Sequence, residues 1–172
     1  MRKVEVTAYN AIWPSLFEIE SQQLQAIFKG EIVQIHHIGS TAVPGLSAKP
    51  IIDIMPVVKA IDRIDCFHSE MINIGYEPKG ENGLPGRCYF QKRGDKRTHH
   101  IHVYEEGNPD IERHLAFRDY LRKHPEAADK YSSLKIELAK KNPFDIEAYI
   151  KGKSELVQEM EKKAIKWHRS LK

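Results

Sequence analysis

The sequence has only two cysteines in 172 residues, Cys66 and Cys88, and neither lies in a Cys-x-x-Cys or other ligand spacing. A disulfide framework and a multi-cysteine zinc site are thereby excluded, and both thiols are expected to be reduced and partly buried. Long apolar runs are missing too. The longest, residues 51–58, is broken by Asp53 and Pro56 and falls far short of the ~20 residues of a membrane helix. The opening MRKVEVTAYN lacks the apolar core of a signal peptide, so a cytoplasmic protein with no membrane partner is the expectation. Repeats and low-complexity tracts are absent. At 41% hydrophobic and 30% charged residues, neither disorder nor a fibrous class is indicated. The formal net charge is only +3, but residues 111–172 hold 15 Lys/Arg against 10 Asp/Glu. That asymmetry permits an anionic partner. The basic helices lack interleaved aromatics, so nucleic acid is not supported as one.

The length suits one domain over residues 1–172, with a sheet-containing core in 1–108 and a helical part in 109–172. Leu16, Ile19, Leu24 and Ile27 fall at helical spacing ahead of Gly30, which predicts an amphipathic helix over 14–29 with Pro14 in its first turn. EIVQIHHIG and the nearly continuous apolar PIIDIMPVV predict two central strands. IDRIDCFHSEMINIG predicts a helix that turns Ile61, Ile64, Phe67, Met71 and Ile74 to the core and ends at Gly75. Cys66 falls on that helix. Strands over 87–92, which include Cys88, and over 98–104 fit an antiparallel hairpin about Gly94-Asp95. Three helices follow, over 109–123, 126–141 and 144–169, with breaks near Pro125 and Pro143. The pattern is α+β.

Four groups of residues carry chemistry. Gly39-Ser40-Thr41 is a turn in which a residue without Cβ lets the backbone approach a phosphate, while N–H and hydroxyl groups bond its oxygens; the same residues also make ordinary turns. Asp53 sits among Ile51, Ile52 and Ile54, where an ionised carboxylate is costly unless paired, solvated or metal-bound. A second acid two residues later would share its face, but that position is Met55, which offers no oxygen to Mg²⁺. In RTHHIHVYEE, His100 and His102 share one strand face, a pair able to grip Zn²⁺, Mn²⁺ or Fe²⁺ with a carboxylate, or else to donate hydrogen bonds from a half-polar sheet. His37, beside the Gly-Ser turn, is a candidate anion donor. Finally, His114, Arg118 and Arg122 recur at every fourth residue of one helix, either to fork onto a phosphate or carboxylate or to pair locally with Asp119 or Glu126.

Through YNAIWPSLFEIE, HIGSTAVPGLSAKPIIDI, RTHHIHV, HLAFRDYLRKHP, YSSLKIELA and YIKGKSELV, over nearly the full length, the chain resembles the GrpB family, small bacterial proteins whose fold is similar to that of the nucleotidyltransferase superfamily. The resemblance implies an α+β nucleotidyltransferase-like fold: a small mixed sheet, an N-terminal helix and a C-terminal helical bundle. The superfamily pattern is a Gly-Ser turn, a strand with an acidic pair and a third acid on a neighbouring strand, which together bind two divalent metals and a nucleoside triphosphate. Gly39 and Ser40 match the turn and Asp53 the first acid. Met55 stands where the second acid would be, and His100 and His102 occupy the later strand.

The resemblance thus implies a phosphorylated small molecule or nucleotide between the Gly39-Ser40 turn and the Arg118 helix. A divalent metal, Mg²⁺ or a transition ion, would be held by Asp53 with His100 and His102, and Lys49 and Arg97 would add charge to the phosphates. The reaction expected is metal-assisted nucleotidyl transfer. One alternative is a mononuclear metal hydrolase or lyase using Asp53, His100 and His102. Another is a non-catalytic binding module that has lost the second acid.

Overall fold

A computed structural model describes residues 2–172. Helix α1, Trp13–Phe28, carries Pro14 in its first turn, where a missing N–H costs nothing, and ends where Lys29 takes a left-handed φ of 49°. Its inward stripe is Trp13, Glu20, Leu24 and Phe28. Ile19, expected in the core, is 57% exposed instead. The displacement has a polar cause: the Glu20 carboxylate is drawn inward by the Tyr76 hydroxyl at 2.6 Å and Lys92 Nζ at 2.8 Å, and Ile19 lies one position off that stripe.

Five strands form one sheet: β1 Ile32–Ile38, β2 Ile52–Val58, β3 Tyr76–Pro78, β4 Arg87–Lys92 and β5 His99–Glu105, in the order β1-β2-β5-β4-β3. β2 and β5 run parallel while the other neighbours are antiparallel, so the sheet is mixed. β2 is interior, as its apolar run requires. β1 is an edge strand rather than a central one. Its apolar residues alternate with Gln34 and His36, and Val33 stays 42% exposed.

The segment expected as one helix over 61–75 divides into a 3-10 stretch, Ile61–Phe67, and a short α-helix, α2, His68–Asn73. Ile61, Ile64 and Phe67 recur every third residue, the period of a 3-10 rather than an α-helix. Cys66 lies on the exposed side of that stretch, contrary to the expected burial, whereas Cys88 is half-buried on β4.

Side chains in register across neighbouring strands share a face. One face of the sheet therefore carries Asp53, His100, His102, Gln91, Tyr89 and Arg87. The other carries Ile52, Ile54, Ile101, Val103 and Phe90, all buried, and is covered by α1, whose Phe17 stacks on His37.

The remaining helices are α3 Pro109–Lys123, α4 Pro125–Lys141 and α5 Ile146–Ser170. Asp145 caps α5 by accepting from the Ala148 N–H. At Gly152 an added Cβ would lie 2.5 Å from the Leu138 Cδ2 methyl, so a larger residue there would require the Leu138 side chain to shift. Val43, Leu46, Leu121, Ala128, Tyr131 and Met160 form a second apolar cluster. The chain thus forms two compact units. One joins Ile12–Ile38 to Ile51–Ile111; the other gathers the segment ending at Ala11, Gly39–Pro50 and Glu112–Lys172. Among the described residues no helix is long and apolar enough to cross a membrane.

Candidate functional site

In the sheet unit, the parallel pairing of β2 and β5 puts Asp53 in register with His100, and strand alternation brings His102 to the same face. Asp53 Oδ1 is 2.9 Å from His102 Nε2 and 3.3 Å from His100 Nδ1. One ligand atom from each of the three lies within 4.8 Å of the others. Burial alone would raise the Asp53 pKa. Hydrogen bonds from His100 and His102, and their charge, outweigh it and hold the carboxyl far below the ordinary carboxylate range. Burial dominates at His102 and lowers its pKa, against the pull of Asp53.

The remaining ring nitrogen of His100, Nε2, is buried without a hydrogen-bond partner among the described residues. Buried polar atoms are seldom left so, and an imidazole lone pair in that state suits a metal or a bound ligand. Met55, fully buried two residues beyond Asp53, leaves a single carboxylate on this strand face. Two imidazoles and one carboxylate are a donor set for Mn²⁺, Fe²⁺, Co²⁺ or Zn²⁺ more than for Mg²⁺, which favours oxygen.

Around this cluster stand residues that sequence reasoning did not single out. Arg87, buried on β4, approaches His102 Nδ1 at 3.4 Å. The Tyr89 ring lies edge-on or tilted to both histidines, with centroids 5.6 and 5.4 Å away. His37, expected as an anion donor, belongs to the opposite face, since its register partner is Ile54, and it is buried against Phe17 at 4.9 Å. Arg97 Nε donates to the Gly94 carbonyl at 3.1 Å within the hairpin turn.

In the helical unit, Gly39 takes φ 73° to open the turn that holds Ser40, Thr41 and Ala42. Ser40 Oγ is 2.9 Å from Lys135 Nζ, a lysine 1% exposed. Lys135 lies 4.2 Å from the Tyr131 ring centre, Lys153 reaches the Tyr131 hydroxyl at 3.4 Å, and Lys153 and Lys49 lie 5.1 and 5.3 Å from the Tyr149 ring. Burial, then repulsion from Lys153 and Lys49, pushes the Lys135 ammonium down to about 6. Thr41 is buried beside this turn. Lys135 was missed because a lysine reads as solvent-facing. The available signal was its place on the inward stripe of α4, with Ala128 and Tyr131.

The stripe on α3 is occupied locally. His114 meets Arg113 at 3.3 Å, Arg118 Nε donates to Asp119 Oδ1 at 2.8 Å, and Arg122 Nε donates to the Ala42 carbonyl at 2.9 Å. Arg122 thereby ties α3 to the segment that follows Ser40. The local pairing to Asp119, weighed against anion binding from spacing, is present.

A family model described as GrpB protein matches residues 3–163. The UPF0157 protein YqkA of Bacillus subtilis is 52% identical over 96% of this chain and 48% of its own length, so the chain spans about half of that relative. The crystal structure of conserved protein GrpB from Enterococcus faecalis has a TM-score of 0.92 at 44% identity, covering 95% of this chain and 99% of that one. The Cid1 poly(U) polymerase, in its MgGTP-bound structure, has a TM-score of 0.52 at 14% identity over 76% of this chain and 43% of its own. That last likeness concerns the fold alone, which is nucleotidyltransferase-like. The chain belongs to the GrpB family.

Proposed function

We propose that this chain is a metal-dependent enzyme acting on a phosphate-bearing ligand, with a nucleotide as the first class to test and a single metal held by Asp53, His100 and His102. The observation that carries it is one ionised carboxylate facing two imidazoles while His100 Nε2 remains buried and unpartnered. Bound there, a divalent ion would polarise a phosphate oxygen as a Lewis acid. Asp53 contributes the carboxylate of this cluster and stays ionised through the physiological range, and His100 contributes a nitrogen that no described residue satisfies.

Support for a phosphate-bearing ligand comes separately from the helical unit. The Ser40 hydroxyl and the amines of Lys49, Lys135 and Lys153 gather about Tyr131 and Tyr149, and the charges acting on Lys135 are both repulsive. An anion would relieve that repulsion. The nucleotidyltransferase-like fold makes nucleotidyl transfer the first reaction to examine. In it an acceptor oxygen bonds to the α-phosphorus, the bond to the β-phosphate oxygen breaks, and pyrophosphate leaves. A second reading is hydrolysis at the same centre, with water as acceptor. The buried Met55 favours it, because a strand lacking its second acid suits one metal better than two.

Incubation of the protein with each nucleoside triphosphate and Mn²⁺ or Zn²⁺, with labelled products resolved, tests these readings. Pyrophosphate with a nucleotidylated acceptor supports transfer, and free monophosphate supports hydrolysis. Nucleotide binding that is unchanged in Asp53→Ala, without turnover, would instead identify a binding module and overturn the enzyme.

A further inference from the structure

Lys135 shares the inward stripe of α4 with Ala128 and Tyr131, and only 1% of it is exposed. Its Nζ donates to Ser40 Oγ at 2.9 Å and lies 4.2 Å from the Tyr131 ring centre. Among the described residues no carboxylate pairs with it, and the charges that bear on it, from Lys153 and Lys49, are positive. A buried ammonium without a counter-ion is costly, so the site favours the free amine, the form in which lysine is a nucleophile. Burial and then repulsion from the two lysines bring its pKa from 10.5 to about 6, so the amine prevails at neutral pH, where exposed lysines stay protonated.

The surroundings suit an anion better than an amine. Lys153 Nζ is 5.8 Å from the same Tyr131 ring centre and 3.4 Å from the Tyr131 hydroxyl. Lys153 and Lys49 lie 5.1 and 5.3 Å from the Tyr149 ring. The Tyr149 hydroxyl is buried with no hydrogen-bond partner among the described residues, and burial and then Tyr131 raise its pKa, so it keeps its proton to donate. An electrophile that turned the Lys135 amine into an anion would answer both ammonium charges and that spare donor. Carbon dioxide does so, and it is small and apolar enough to reach a side chain this deeply enclosed. An aldehyde is larger, and the imine it forms is neutral or positive.

We propose that Lys135 is a carbamylation site, where the buried amine adds carbon dioxide to give a carbamate held by Lys49, Lys153 and the Tyr149 hydroxyl. The Nζ lone pair bonds to the carbon, a C=O π pair moves onto oxygen and the nitrogen releases one proton to water. An amine and carbon dioxide thus become R–NH–COO⁻ and H⁺, with no change of oxidation state. The N–H that remains keeps its bond to Ser40 Oγ. The modification needs neither the metal nor the nucleotide proposed above. Its effect on phosphate binding rests on that reading: carbamate and phosphate draw on the same two lysines, so each excludes the other.

Carbon-13 spectra of the protein equilibrated with ¹³C-labelled carbon dioxide and bicarbonate, followed by trapping with a trialkyloxonium salt and peptide mapping, test the site. Wild-type protein near pH 8 should show one carbamate resonance, and the trapped ester should map to Lys135. The resonance should vanish in Lys135→Met and weaken several-fold in Lys153→Gln. Absence of a carbamate in the wild type, an ester that maps to another amine, or bicarbonate held without a bond to Lys135 overturns the proposal. So does a signal undiminished in folded Lys153→Gln. Because mapping is done on the wild type, a fold damaged by either substitution leaves the assignment decided. Pyrophosphate affinity, measured by calorimetry at matched ionic strength, should fall several-fold in the carbon dioxide-equilibrated buffer. Undiminished pyrophosphate binding by the carbamylated chain would count against the phosphate site and leave the carbamate standing.

Discussion

Asp53 on β2 and His102 on β5 meet at 2.9 Å across a parallel strand pair, with His100 joining the same carboxylate oxygen at 3.3 Å. A carboxylate held far below its ordinary range contributes stability above the pH at which the unfolded chain's carboxyls ionise, and that contribution is lost as pH falls. Wild-type protein should therefore lose stability below about pH 4. Asp53→Asn, which keeps an acceptor oxygen but no charge, should show a shallower decline. Urea unfolding midpoints measured across that range provide the comparison.

Glu20 gives the same sign on the other face of the sheet. Burial opposes its ionisation, but hydrogen bonds from Lys92 and Tyr76 and the nearby His99 charge prevail and lower its pKa. Glu20→Ala strands the Lys92 amine and the Tyr76 hydroxyl, and should cost roughly 3 kcal/mol at neutral pH. The loss should shrink in acid, as the wild-type carboxyl takes up its proton. Denaturant titrations at neutral and acidic pH read both effects.

Lys135 costs stability where those two carboxylates add it. Its folded-state pKa, pushed down from 10.5 to about 6, means that the unfolded chain binds the extra proton between those values, so its burial penalty is full below about 6 and relieved as pH rises toward 10.5. Lys135→Met should stabilise the protein at neutral pH by roughly 1–4 kcal/mol, with the advantage fading in alkali. Thermal melts across pH measure it. The same variant should bind pyrophosphate more weakly. In the wild type that binding should take up a proton and weaken as pH climbs above about 6, which calorimetry in buffers of different ionisation enthalpy detects.

Much of this was legible in residue order. The period-two alternation in RTHHIHVYEE places His100 and His102 on one face, and the lone acid in PIIDIMPVV places Asp53 on an interior strand. Their convergence needed something the order does not carry: that β2 and β5 are parallel neighbours with Asp53 opposite His100. His37 adjoins the Gly-Ser turn in sequence, and only the pleat shows that it lies on the face opposite Asp53. Glu20, Arg87 and Lys135 escaped notice because each is a charged residue at a buried position, and only tertiary partners make that burial tolerable. The 3-10 stretch at 61–67 was readable in its three-residue apolar spacing, which a helical pattern absorbed too readily.

The most direct measurement is the metal content and metal affinity of purified wild-type protein beside Asp53→Ala and His100→Ala. Equilibrium dialysis against Mn²⁺ and Zn²⁺, with elemental analysis, should find one ion per chain in the wild type and at least ~10-fold weaker binding in each variant, with folding checked by circular dichroism. Folded variants that bind as the wild type does, or a wild-type protein that retains neither ion, would contradict a metal centre at Asp53, His100 and His102.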